Sequence, residues 1–142
     1  MNDIKIVPSD EAEKEYVDQK LVEFNAQKVP FTQSISPVLI DYSLKTDKDE
    51  IIGGIQAILY HWHILFIDIL WIDENYRHKQ YGSILLKKAE EKAKSLGCSL
   101  IHLDTFDFQA QDFYLKNGYK IFGILEDCPP GHKRIYLKKK LI

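Results

Sequence analysis

ILFIDILWIDENYRHKQYGS, residues Ile64–Ser83, runs from an apolar stretch broken only by Asp68 into a polar loop. Crossing a bilayer takes about 18 or more apolar residues, so Ile64–Ile72 reads as a buried strand. Beyond the loop, Leu85, Leu86, Ala89, Ala93 and Leu96 recur on one helical face, with lysines and glutamates elsewhere and Gly97 placed as a C-cap. A helix beginning near Gly82 is therefore expected. The next strand, Leu100–Thr105, is reached through that helix and should lie parallel to the first. A loop between a buried strand and a helix start can aim several backbone N–H groups outward together, an anion site suited to a pyrophosphate. Gly82 lets a ligand approach the backbone, and Arg77 and Lys79 add positive charge. A generic strand–loop–helix connection with one glycine reads the same way, so spacing alone leaves both readings open.

Working outward, Val38, Ile40, Tyr42 and Leu44 alternate with polar residues as a half-buried strand does. After the charged turn Lys45–Glu50 comes a second strand, Ile51–Tyr60, whose Gly53-Gly54 marks a bulge or a close backbone approach. With Ile64–Ile72 these predict an antiparallel meander. Upstream, Ile4–Val7 is expected as an edge strand. Pro8-Ser9-Asp10-Glu11 opens a helix with Tyr16, Val17, Leu21 and Phe24 on one face. Downstream, Gln109–Lys116 reads as a short helix closed by Asn117-Gly118. Strands Tyr119–Leu125 and Arg134–Leu141 flank the loop Glu126–Lys133. The order β-α-β-β-β-α-β-α-β-β predicts an α/β (α+β) fold, a mixed sheet with helices packed on it, in one domain spanning residues 1–142.

Composition narrows the class. The 142 residues are 45% hydrophobic and 28% charged, with 19 basic and 21 acidic side chains. A net charge of −2 gives no general drive toward nucleic acid or an anionic membrane. The basic run Lys138–Lys140 reads as the solvated end of the last strand. No stretch resembles a signal peptide or membrane span, and Cys98 and Cys128 lack paired or metal-type spacing. Free thiols in a reducing cytoplasm are the expectation.

Arg77-x-x-Gln80-x-Gly82 resembles the pyrophosphate-binding motif of the GNAT (Gcn5-related N-acetyltransferase) superfamily, usually Arg/Gln-x-x-Gly-x-Gly/Ala. Ala110-x-x-Phe113-Tyr114-x-x-Asn117-Gly118-Tyr119 resembles the superfamily's second signature. The resemblance implies a GNAT fold: about six or seven mostly antiparallel strands, a parallel, splayed central pair and about four helices. It implies acetyl transfer from acetyl-CoA (coenzyme A) to a primary amine by direct attack, with no protein nucleophile. The pantetheine arm would enter between the splayed strands and meet the backbone of Leu70, Trp71 and Ile72. Arg77, His78, Lys79, Gln80, Tyr81, Gly82 and Ser83 would hold the diphosphate. Gln80 stands where the family pattern has glycine; a position requiring φ > 0 would strain it, whereas at negative φ little is lost. An acyl-CoA-binding regulatory domain without transfer activity, and an interaction domain that has lost the cofactor, are the rival readings.

The resemblance places Tyr114 as the acid that protonates the departing thiolate; a core tyrosine with a satisfied hydroxyl is the bland alternative. Asp68 is the candidate base, since a carboxylate in an apolar strand is costly unless paired or used. Asp104 and Glu126 are reserves, and a water chain would need no single carboxylate. His61-x-His63 lacks a nearby third ligand, so no metal site is expected. His102 either faces the acceptor pocket or sits satisfied inside, and His132 lies on the last hairpin loop. Trp62, Trp71, Phe106 and Phe108 are packing residues that could border a pocket. The acceptor, a small-molecule or protein amine, is not readable, and dimerisation, common in the superfamily, leaves a homodimer open.

Overall fold

The computed structural model describes residues 3–141. Its elements are α1 (Glu11–Lys28), β1 (Val38–Lys45), β2 (Ile51–Tyr60), β3 (Ile64–Ile72), α2 (Tyr81–Ser95), β4 (Leu100–Phe106), α3 (Gln111–Lys116), β5 (Lys120–Glu126) and β6 (Lys133–Lys140), with a 3-10 turn at Glu74–Tyr76. They fall into two compact units, one within Met1–Thr32 and one within Gln33–Ile142.

The first unit is α1 and the chain leading to it. Asp10 accepts the Glu13 amide at 2.8 Å, and the Glu13 carboxylate accepts the Asp10 amide at 3.0 Å. This capping box satisfies two otherwise orphaned donors and puts negative charge at the positive helix end. Ile4–Val7, expected as an edge strand, is not one. No sheet ladder reaches it, and Ile4 and Ile6 are almost fully exposed.

In the second unit the sheet order is β1-β2-β3-β4-β6-β5. Every neighbouring pair is antiparallel except β3–β4, which the α2 crossover makes parallel as expected. The unit's helices are α2, α3 and the 3-10 turn. Leu85, Leu86, Ala89 and Ala93 lay α2 on the sheet; Ile55, Leu59, Leu65, Ile101, Leu103 and Leu137 meet them and are essentially inaccessible. Each such large side chain contributes about 1.5–3 kcal/mol by leaving water. The Gly53-Gly54 pair marks a close approach: a Cβ on Gly53 would lie 2.7 Å from the Ile72 side chain. Glu90 of α2 ties the layers together, accepting the Tyr119 hydroxyl at 2.7 Å and the Lys139 ammonium at 3.1 Å. Among the described residues no helix is long and apolar enough to cross a membrane.

Candidate active site

The parallel ladder between β3 and β4 is short. It pairs Ile64 with Leu100 and ends with Ile67 opposite Leu103. On the other edge of β3, Ala57 pairs with Ile67 while Gln56 pairs with Ile69, so Asp68 is an extra residue, a β-bulge. A bulge bends a strand and raises its twist. Here it falls where β3 and β4 stop pairing. From Asp68 to Ile72, β3 keeps β2 but has lost β4; Asp104–Phe106 keep only β6. The result is a gap between two strands that share a sheet. Asp68 is exposed at its start. The burial expected of this carboxylate is corrected: the bulge, rather than a buried partner, accommodates it.

Beyond the gap, the chain is shaped to leave the start of α2 bare. Asp73 accepts the Asn75 amide at 2.9 Å, and the Arg77 Nε donates to the Ile72 carbonyl at 3.0 Å, bracing the turn against the end of β3. His78 (φ 63°) and Gln80 (φ 65°) are both left-handed. The condition that would strain Gln80 is therefore met, at a cost of about 1–2 kcal/mol per residue for a side chain with a Cβ. Gln80 supplies no side-chain cap and no acid lies in the first turn; the first helical bond is Ile84 N–H to the Gln80 carbonyl. The amides of Tyr81, Gly82 and Ser83 have no acceptor among the described residues. The same chain caps α1 with a full box. An uncapped α2 start, with Arg77 and Lys79 exposed beside it, fits a diphosphate by the chemistry of its donors.

The two sequence signatures meet at this point. Gly82 makes room within the protein, since a Cβ there would lie 3.2 Å from the Phe113 ring of α3. Asn117 Nδ2 donates to the Ser83 hydroxyl at 3.4 Å and to the Phe113 carbonyl at 2.8 Å. Gln109 Oε1 accepts the Phe106 amide at 2.8 Å and the Thr105 hydroxyl at 3.2 Å, fixing the turn from β4 into α3. Tyr114 is only 5% exposed, and its hydroxyl has no hydrogen-bond partner among the described residues. Burial, and secondarily the Asp104 carboxylate, push its pKa up to about 12. It thus holds its proton at neutral pH.

The remaining candidates separate. Asp104 is held by Arg134, whose Nε and Nη2 lie 2.8 and 2.7 Å from Oδ1. Glu126 is exposed, with Lys133 at 4.0 Å. His61 and His63 occupy the β2–β3 turn at positive φ rather than one side of a strand, and no group of three possible ligands is assembled among the described residues. Cys98 is buried and Cys128 half-buried, both as free thiols. His132 Nδ1 pairs with Asp107 at 2.9 Å, and His102 Nε2 with the Tyr60 hydroxyl at 2.7 Å. Neither partner was singled out in the sequence. Each lies far along the chain, and only the alternation of β2 hinted that Tyr60 shares a face with Ile58.

The sequence profile of the Acetyltransferase (GNAT) family matches residues 9–119. The chain belongs to the GNAT family of acetyltransferases. It is 35% identical to the blasticidin-S acetyltransferase of Streptomyces morookaense over 96 residues, 67% of this chain and 70% of that protein. A crystal structure of a Bacillus cereus acetyltransferase superposes with a TM-score of 0.90 at 37% identity, covering 97% of this chain and 98% of the other. A Bacillus anthracis protein assigned as a streptothricin acetyltransferase, solved with acetyl coenzyme A, aligns at TM-score 0.66 and 25% identity over 75% and 65% of the two chains.

This GNAT member is an acyl-CoA-dependent N-acetyltransferase that uses acetyl-CoA and acts on an amine acceptor. None of these relatives favours a regulatory domain without transfer activity.

Proposed function

We propose that the acetyl thioester is presented in the gap opened at Asp68 and attacked there directly by a primary amine on a small molecule of the antibiotic type. The observation that carries this reading is the coincidence of three features: the ladder's end at Ile67, the bulge at Asp68 and the bare start of α2. Backbone groups of Leu70, Trp71 and Ile72 line the unpaired edge of β3, where an N–H can stabilise negative charge developing on the thioester oxygen. The amides of Gln80–Ser83, with Arg77, His78 and Lys79 around them, are suited to the diphosphate. Asp68, exposed at the mouth, draws in the ammonium and takes its proton. As the C–N bond forms and the C–S bond breaks, Tyr114 gives its proton to the leaving thiolate, and the second proton shed by the new amide nitrogen returns Tyr114 to its phenol form. The small-molecule acceptor rests on the relatives, whose names point to blasticidin-S and streptothricin.

The test separates binding from chemistry. Tyr114→Phe should lower kcat by about 10²-fold in a thiol-release assay, within the usual range for a positioned acid. Thermal stabilisation by acetyl-CoA should match that of the parent. A mutant with undiminished kcat removes Tyr114 from the reaction.

A further inference from the structure

A concavity lies on the sheet face opposite α2. Leu65, Ile67, Ile101 and Leu103 are buried toward α2, so Phe66 and His102, which alternate with them, face the other way. There Ile58, Tyr60, Phe66 and His102 border a shallow, open depression of about 380 Å³. Phe66 and His102 form the last but one rung of the parallel ladder, so the depression abuts the mouth of the gap.

Its surface is built from rings. The Tyr60 hydroxyl and His102 Nε2, 2.7 Å apart, satisfy each other. That bond sets the His102 ring edge-on to Tyr60 (5.9 Å, 81°) and 5.2 Å from Phe66 at a tilt of 36°. What remains facing the depression is carbon. The charges nearest the depression on this face have partners: Asp104 with Arg134, Lys138, the cross-strand partner of His102, over the Phe122 ring at 5.9 Å, and Asp41, diagonal to Ile58, accepting the Ala57 amide at 3.3 Å. Asp68, two residues along β3 from Phe66, stands exposed at the gap as a counter-charge for an ammonium. A hydroxyl-rich body laid on such a surface gives up water without gaining partners, at about 1–3 kcal/mol per polar group. A planar ring instead gains offset and edge-on contacts.

We propose that this depression receives the body of the acceptor and selects a primary amine carried a short distance from a planar ring over an open-chain or hydroxyl-rich amine. The inference rests on the transferase reading and adds a specificity site to it. The test compares 2-phenylethylamine with n-hexylamine and glucosamine, both as acceptors and, by calorimetry with coenzyme A present, as ligands. Wild type should show a KM for 2-phenylethylamine about tenfold below that for n-hexylamine, the scale of one aromatic contact. Phe66→Leu, which keeps the bulk and loses the ring, should bring that ratio close to one while the acetyl-CoA Kd stays put. Tyr60→Phe, which frees the His102 ring, should raise the 2-phenylethylamine KM more than it lowers kcat. Equal KM values in wild type, or an unchanged preference in Phe66→Leu, overturn the proposal. Should acetyl-CoA bind while no amine is acetylated, the acceptor chemistry itself is wrong, and calorimetry then decides the depression separately. Binding of 2-phenylethylamine no tighter than that of n-hexylamine sinks it.

Discussion

Gln80 holds a left-handed backbone that glycine adopts without a Cβ penalty, and it does so at the head of the helix that is left bare. The strain at that position outweighs the extra unfolded-state freedom of glycine by about 0.5–1 kcal/mol. Gln80→Gly should therefore raise Tm by about 2 °C in a chain of this size, with acetyl-CoA affinity at least as high as in the parent. A lowered Tm in calorimetry would mean that the Gln80 side chain makes a compensating contribution. At this scale the sequence was informative but incomplete. It marked Gln80 as a departure whose effect hangs on φ, and φ is set by the loop as a whole. Tyr114 could be placed by its motif, but not the bareness of its hydroxyl, which depends on what every neighbour fails to reach.

Two short elements, the first turn of α2 and the short helix α3, hold each other through Gly82 against Phe113 and Ser83 against Asn117. Gly82→Val forces a branched side chain into the Phe113 ring, and overpacking of this kind costs about 1–3 kcal/mol. Tm should fall by several degrees, and the loss should be smaller in a Phe113→Leu background, the coupling expected of touching residues. Additive losses would show that the ring is not what the valine meets. Periodicity made α2 and the order of strands legible, because apolar residues recur at the helix and strand spacings. It could not reveal the bulge. Buried positions in β3 fall on Leu65 and Ile67 before Asp68, then Leu70 and Ile72 pack against the core after it, a switch of parity. In a run where nearly every residue is apolar, that switch leaves no trace. Ile4–Val7 shows the opposite limit: a short apolar run has strand character, yet no ladder is there to receive it.

Over the whole molecule, two buried tyrosines couple folding to pH. Tyr114 is raised to about 12 from 10.0, and Tyr119 is raised too, first by burial and then by Glu90. A group whose folded pKa exceeds its unfolded one contributes stability that is complete below the unfolded value and lost as pH rises through the folded one. Urea unfolding should thus show little tyrosine-linked change up to about pH 9 and a decline above about pH 10. For Tyr114 alone the loss by pH 11 is on the order of 1 kcal/mol. Tyr114→Phe should remove that share of the decline and leave the share due to Tyr119. An identical alkaline slope in the mutant would show that residue 114 is not shielded from water. The partners behind this behaviour, Glu90 with Tyr119 and Lys139, and Asp104 with Arg134, lie 29 to 49 residues apart. Charge counts along the chain could not pair them.

The extra residue in β3 also bears on what kind of genetic change the gene can absorb. A missense change at codon 68 alters one side chain and leaves the strand its surplus residue. Loss of that codon in frame removes the surplus. Ile69–Ile72 would keep their partners on β2 and the faces they present, with no bend left to part β3 from β4. A one-residue deletion there spares the packing and strikes the gap alone. In this strand, length is under tighter constraint than spelling.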